Sequence, residues 1–414
     1  MTSPTITSVT INSVNLDLDD VILDVIITHG RGAITDAPSP STLDMRIFAT
    51  GQITVPYTLG QSVNVKADSV DRFTGAITDM AISHATTIDN NPPMTIIDVT
   101  AIGLLANLSR FYYDTTRPEE DLQARVDAIL TATGLTYSAQ ADPGYLLLEV
   151  LAADAVLEDA RTQLDVLNDW TGGTLYDKPD GTVVFESYTR RGYNYATATW
   201  DDMPLDWDNT TGDWANQEAA GSAAPTAVTL PVTAVVWEPR WQATASTIIN
   251  DVTVSYGTAD PQDVFNQVDA GSIAAFGSRA ITINTGLADV DDAGNRASLV
   301  LTAQASERWT LGGVEILMET LTVLQLAAVM NLTSGDRVIV TNLPSPGPIG
   351  QFLGVLEGWT ETYTIDGYRL TLALSDPRYS YAMLEWDGAG SATWGGVPIT
   401  TTWSDVILQS NLVP

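Results

Sequence analysis

Among the 414 residues only His29 and His84 carry an imidazole, and cysteine is absent. No thiolate is therefore present for nucleophilic attack or zinc ligation, and no disulfide framework can form. A histidine-assisted hydrolase needs a nucleophile held beside the imidazole, yet no Gly-x-Ser-x-Gly elbow occurs. Nor is there a His-Glu-x-x-His stretch or a histidine pair at zinc-binding spacing. Both histidines sit in runs that alternate apolar and polar residues, so they are expected as packed or hydrogen-bonded strand side chains. Gly30-Arg31-Gly32 starts like a phosphate loop but lacks the third glycine and the following helix. Asp289, Asp291 and Gly294 match positions 1, 3 and 6 of a twelve-residue calcium loop, while position 12 is Val300 where a bidentate glutamate belongs. Capping of a helix start is the expected role of those acids. The acidic run from Asp17 to Asp20 reads as a solvated turn, and nothing singles out a catalytic pair among 51 acidic residues. The expectation is a chain that is not an enzyme and has no cofactor or metal site.

Composition narrows the classes further. The formal net charge is -33, from 51 acidic and 18 basic residues. Two of those basic residues, Lys66 and Lys178, are lysines and the remaining 16 are arginines. Such a surface repels nucleic-acid phosphate and anionic membranes, both of which need clustered basic groups. An acidic channel past which DNA slides without sticking is compatible with it. Hydrophobic content of 44% is ample for packed cores, and the length suggests roughly two to four domains. The start, MTSPTITSVTINSV, has neither a basic region nor an apolar core, so a secretory signal is not expected. No run approaches the roughly 18 apolar residues that span a bilayer. A soluble product of the cytoplasm, with no membrane insertion, is the expectation.

The elements that would position any site are mostly strands. Residues 1–110 alternate with period two, punctuated by Gly30, Gly32, Gly51, Gly60 and Gly75. Pro38-Ser39-Pro40 marks an exposed connection. Closing such short strands into a barrel would remove their aggregation-prone edges. A small α+β unit is expected over 111–187. Its first helix is capped by Thr116 with Glu119, carries Leu122, Val126, Ile129 and Leu130 on one face, and stops at Gly134. Its second starts near Asp154 with Leu157, Ala160, Leu164 and Leu167 inward and ends at Gly172-Gly173. TLYDKPDGTVVFE then reads as a hairpin, with Pro179 fixing φ and Gly181 supplying a positive one. Strands resume at STIINDVTVSYG within 246–380, interrupted by a helix near 289–308 that Asp289 caps. From Val314 to Leu374 the expectation is strand throughout.

Two stretches fit none of this. Over 188–245, Trp200, Trp207 and Trp214 recur every seventh residue, each near aspartate. Pro204 and Gly212 argue against a helical heptad, leaving an extended, Trp-rich insertion. Over 381–414, Trp386, Trp394 and Trp403 stud a Gly- and Thr-rich C-terminal arm. The bland role for these tryptophans is packing on a neighbouring surface, and the sharper one is stacking on glycan or peptide.

The motifs ITHGR with FTGAITD, IGLLANLSRFYYD, LDVLNDWTGGTLYDKPDGTVVFES, and SGDRVIVTNLP through QFLGVLEGWTETYTIDGYRLTLALSDP occur in this order over roughly residues 21 to 380. In this respect the chain resembles the tail-hub proteins, also termed minor tail or baseplate hub proteins, of long-tailed bacteriophages of the actinobacteriophage type. The resemblance implies a mainly β fold with an α+β insertion: two hub-type β-barrels per chain flanking a small helix-containing domain. It also implies a homotrimer whose six barrels adapt a six-fold tail tube to three-fold tip proteins. The implied neighbours are a distal tail or tail-tube ring, the tape-measure protein and a tip or fibre protein, in a virion tail tip. DNA would pass the lumen without specific binding. Some relatives carry an inserted wall hydrolase, of which no trace is seen here. The six tryptophans are candidate contacts to the next tip protein, and a wall-glycan-binding surface protein is the alternative reading.

Overall fold

The computed structural model describes residues 6–16, 22–33, 36–50, 57–85, 94–113, 116–141, 145–149, 158–186, 228–231, 240–243, 247–259, 261–307, 309–312, 314–343, 352–364, 367–375, 384–385 and 406–407. Its principal N-terminal strands are β1 (Ile6–Ile11), β2 (Val14–Asn15), β3 (Ile22–Gly30), β4 (Thr42–Thr50), β5 (Ser62–Ala67), β6 (Val70–Ala85) and β7 (Met94–Gly103). A 3-10 helix, Leu104–Arg110, leads to α1 (Leu122–Thr133), β8 (Tyr137–Gln140), α2 (Ala160–Thr171), β9 (Thr174–Asp177) and β10 (Val183–Glu186). Next come β11 (Val228–Pro231), β12 (Asp251–Tyr256), β13 (Asp263–Val268), α3 (Ala270–Phe276), β14 (Ala280–Ile283) and α4 (Val290–Gln304). The principal elements end with β15 (Val314–Leu317), α5 (Val323–Met330), β16 (Arg337–Thr341), β17 (Phe352–Thr364) and β18 (Gly367–Ser375).

The fold is mainly β with helices, as expected, but the strands of the two halves are not separate. They form one twelve-stranded sheet in the order β11-β16-β17-β3-β4-β7-β6-β5-β1-β2, with β18 beside β17 and β15 beyond β18. Two closed barrels were expected, and no pairing among the described residues closes either half. The reason lies at β3. One edge of β3 pairs β4 and the other is taken by β17 from the distant half, so the N-terminal strands do not close on themselves. Alternation along β5 and β1 sends Val63, Val65, Ala67, Val9 and Ile11 inward, to a core shared with Val338, Val340, Phe352, Leu370 and Leu372.

A second core lies under the helices. Leu122, Val126, Ile129 and Leu130 of α1 meet Leu164 and Leu167 of α2, Phe185 of β10, Val252 and Val254 of β12, and Ala297 of α4. The 111–187 stretch and part of the 246–380 stretch thus share one interior. In the hairpin, β9 and β10 pair antiparallel, and Gly181 has the positive φ the turn requires (89°). The first helix starts later than its Thr116 signal suggests. Glu120-Asp121 is held extended against Leu146-Leu147, so Asp121 becomes the cap, accepting from the Ala124 N–H at 2.7 Å. Asp289 caps α4 as expected. The stretch after Val314 is not all strand, because α5 interrupts it with a full capping box between Thr322 and Gln325. No helix among the described residues is long and apolar enough to cross a membrane.

Candidate functional site

The site of interest is the joint at which β17 meets β3, and bulges shape it. Along one edge β17 pairs β16 through Phe352–Val355 and then β3 through Gly358–Thr364. At the changeover the β17–β18 register slips between Leu356 and Gly358, leaving Glu357 as the extra residue of a bulge. Gly30 and Gly358 pair across the junction. A Cβ on Gly30 (φ 69°) would collide with the Glu357 carbonyl oxygen, and one on Gly358 would collide with that of His29. Only glycine allows the two backbones to approach this closely. Glu357 turns back to accept from Arg31 Nε at 2.9 Å and from the Ser375 hydroxyl, while its carbonyl accepts the Arg31 N–H.

Beyond the bulge Trp359, Glu361 and Tyr363 share the inner face of β17 at period two. Opposite them, Arg72 is the extra residue of a second bulge, where the β5–β6 register slips between Val65 and Lys66. That slip lets Arg72 enter the interior beside Phe73, and it is only 1% exposed. Arg72 Nε donates to both Glu361 oxygens, at 3.1 and 3.0 Å, and Nη2 donates to Oε1. Arg72 Nη1 donates to the Met330 carbonyl at the end of α5. Glu361, with no exposed surface, also accepts from Trp359 Nε1 at 2.6 Å, the Tyr363 hydroxyl at 2.8 Å and the Tyr368 hydroxyl at 2.9 Å. Burial by itself would raise the Glu361 pKa, but the Arg72 charge and these donors hold it down to about 2. Arg72, despite burial that would release its proton, is held protonated by Glu361. Burial and the neighbouring carboxylate push the Tyr363 and Tyr368 hydroxyls well above the usual phenol range.

His29 completes the joint. Its ring stacks on Trp359 with centroids 4.5 Å apart. Its Nε2 meets the Arg72 carbonyl at 2.7 Å and its Nδ1 meets Ser41 Oγ at 2.7 Å. Ser41 in turn reaches Asp177 Oδ1 of β9 through its hydroxyl (2.8 Å) and its N–H (3.0 Å). One connected set of side chains therefore ties β3, β6, β17, α5 and the β9–β10 hairpin together. Fully paired, such a network fixes a unique arrangement, and missing any member it leaves a buried polar group exposed to nothing.

The arrangement is suited to holding parts together rather than to turning over a substrate. Its groups are buried and saturated with mutual hydrogen bonds. His84, on the exposed side of β6, meets Thr95 Oγ1 at 3.2 Å. Asp292 of the acidic cluster accepts from the Leu146 N–H at 2.8 Å, a structural contact between the second core's parts. Among the described residues no three metal-ligating side chains cluster. Trp200, Trp207, Trp214, Trp386, Trp394 and Trp403 lie outside the described residues. A different surface stands out instead. Residues 320–335 carry no charge, and within them Val323 and Leu324 of α5 are 78% and 83% exposed. The helix rests on β11, the terminal strand of the large sheet, through Gln325 Nε2 and the Thr229 carbonyl at 3.4 Å.

No family model matches the chain, and no curated protein matches its sequence. Solved structures do match its shape. The 43 kDa tail protein of prophage MuSo2 from Shewanella oneidensis aligns at TM-score 0.60 and 13% identity, covering 91% of this chain and all (100%) of that one. A tail protein from Neisseria meningitidis aligns at 0.58 and 14% identity, covering 92% and 98%. The Escherichia coli c3393 protein is a type VI secretion component described as similar to the T4 bacteriophage tail proteins gp27 and gp5. It aligns at 0.50 and 15% identity, covering 90% and 78%. At these identities the likeness establishes a shared fold, and it extends along nearly the whole chain.

Proposed function

We propose that this chain is a structural, non-catalytic hub of a bacteriophage tail tip, of the actinobacteriophage type. The observation that carries the reading is the fold itself, shared end to end with prophage tail proteins over 91% of the chain. The joint supports it, since a large sheet stapled by buried ion pairs suits a part that bears load. In this proposal three copies form a ring. Each contributes an N-terminal and a C-terminal β lobe of the joined sheet, so that six lobes face a six-fold tube while three-fold tip proteins bind below. The acidic surface lines or surrounds a channel for the tape-measure protein and for DNA, which passes a wall that repels it. The partners are other copies, a distal tail or tube ring, the tape-measure protein and a tip or fibre protein.

Copies of a chain with net charge -33 repel one another, so a contact between them belongs where charge is lowest. The uncharged α5 surface, with Val323 and Leu324 outward, is such a place. Native mass measurement of the purified chain, alongside negative-stain images of tail tips, tests the proposal. Three copies per particle and a three-fold density at the tip are expected. A chain that stays monomeric at tens of micromolar and is absent from purified tails would overturn it.

A further inference from the structure

A second stretch is as poor in net charge as the α5 surface. Residues 264–288 hold one acid, Asp269, and one base, Arg279, in a chain whose net charge is -33. They supply α3, β14 and all of β13 but its first residue, the outer strands of a three-stranded sheet in the order β13-β12-β14. β13 runs antiparallel to β12, and β14 runs parallel to it. Among the described residues nothing pairs with the free edge of β13 or of β14. Natural sheets blunt such edges with proline, lysine, a short strand or a cover. The large sheet follows that rule at both ends, since β2 spans two residues and β11 stops at Pro231. β13 has six residues without proline or lysine. Phe265 and Gln267 turn toward Gly294 and Ser298 of α4, while Val264 and Val268 on the other face are 61% and 48% exposed.

The two charges of this stretch stand at the strand ends. Val268, Asp251 and Ala280 form one row across the sheet. One step on, Asp269 and Arg279 flank Asn250: the Asp269 N–H donates to the Asn250 carbonyl, and the Asn250 N–H donates to the Arg279 carbonyl. Their backbones are thus two strand spacings apart, about 10 Å, on opposite edges. Asp269 Oδ1 accepts the Ser272 N–H at 2.8 Å. Arg279 Nε is buried without a hydrogen-bond partner, and no described carboxylate pairs with the guanidinium.

We propose that β13 of one copy pairs along its free edge with β14 of the next, so that the small sheet continues head to tail around the ring. The proposal rests on the three-copy ring argued above. Closure by three-fold rotation joins two different surfaces of each chain, and these edges are two different surfaces. With the strand order continued, β13 and the next copy's β14 run antiparallel. Val268 then faces Ala280 of the next copy, and Asp269 faces Arg279 of the next copy. Opposite charges set directly across such a pair stabilise it. Arg279 thereby gains the carboxylate that its own chain does not provide. The stretch also brings two strongly acidic chains together where they repel least.

Because the chain has no cysteine, introduced thiols report this contact without background. Full-length chains carrying Val268→Cys alone and Ala280→Cys alone are co-expressed and oxidised, and each is also purified and oxidised by itself. Covalent dimers with one copy of each variant are expected, and neither variant should link to itself. Self-linking by Val268→Cys would mean a two-fold pairing of β13 with β13 and would overturn the proposal. Val264→Glu provides a second reading at a side chain that packs little. It should fold with an unchanged circular dichroism spectrum and raise the concentration at which trimers dissociate about tenfold or more, in native mass measurements. A trimer that neither links the mixed variants nor responds to Val264→Glu would overturn this contact and leave the ring standing. A parent chain that stays monomeric would remove the ring and the contact together.

Discussion

At the scale of residues, Glu361 concentrates the most stabilisation in one place. Its carboxylate gathers Arg72, Trp359, Tyr363 and Tyr368, of which Tyr368 also reaches Met330 Sδ at 3.9 Å. An apolar replacement strands those donors and the guanidinium together. Glu361→Leu is therefore expected to cost about 3–5 kcal/mol, the range for breaking a buried pair from one side, as read from urea unfolding. The pH dependence has a defined sign. Its folded pKa of about 2 lies below the ordinary carboxylate value, so its contribution is complete above that value and is lost as pH falls toward 2. Unfolding midpoints taken from pH 5 downward should drop in the parent chain, and Glu361→Gln should flatten part of that drop. Neither Arg72 nor Glu357 was recognisable beforehand, because each is the extra residue of a bulge and a period-two count passes over it. Glu361 did leave a signal: in Trp359-x-Glu361-x-Tyr363 an acid shares strand parity with two aromatics, which marks it as inward-facing. His29 met its expectation of a hydrogen-bonded strand side chain, though its partners come from 12 and 43 residues away.

Elements register the same constraints through the backbone. The contact of Gly30 with Gly358 is what allows a C-terminal strand to lie against β3, and any Cβ there meets backbone rather than a movable side chain. Gly30→Ala combines that collision with a positive φ and should destabilise by at least about 1–3 kcal/mol, seen as a lower thermal midpoint. A comparable change at Gly60, whose positive φ is not accompanied by any close neighbour, provides the control for conformational strain alone. The capping box of α5 is a smaller effect: Thr322→Ala should cost about 1 kcal/mol in the same measurement. That box was present in the sequence as Thr322-x-x-Gln325, yet the β-branched residues around it favoured a strand reading. The α1, α2 and α4 signals were clearer, since apolar spacing agreed with a glycine at the stop for α1 and α2 and with the Asp289 cap for α4. The caps of α1 and α2 are nonetheless Asp121 and Asp159 rather than Thr116 and a start near Asp154. Thr116 failed as a cap because pairing of Glu120-Asp121 with Leu146-Leu147, a non-local contact, delayed the helix start.

The whole molecule is a sheet built from both ends of the chain with a helical core beside it, and its predictions concern assembly. Leu324→Glu adds a charge to the uncharged α5 surface at a side chain that packs little. It should convert the proposed trimer to monomer in native mass measurements while leaving the thermal midpoint of the monomer nearly unchanged. Deleting residues 386–414, with Trp386, Trp394 and Trp403, should abolish incorporation of the neighbouring tip protein and leave the copy number intact. An unaltered virion would remove the tryptophan arm from the assembly. By itself the sequence determined the local matters: strand-rich composition, the apolar faces of the main helices with the Asp289 cap of α4, the glycine turns, the acidic character and the absence of a recognisable reactive constellation. These depend on side-chain periodicity and conformational preference within a few residues. Tertiary structure alone decided that β3 takes β17 as its partner instead of closing a barrel, and that Arg72, His29, Asp177 and Glu361 converge. Strand pairing is specified by which edges meet across more than 300 residues, and nothing in the local pattern of β3 distinguishes one apolar partner from another.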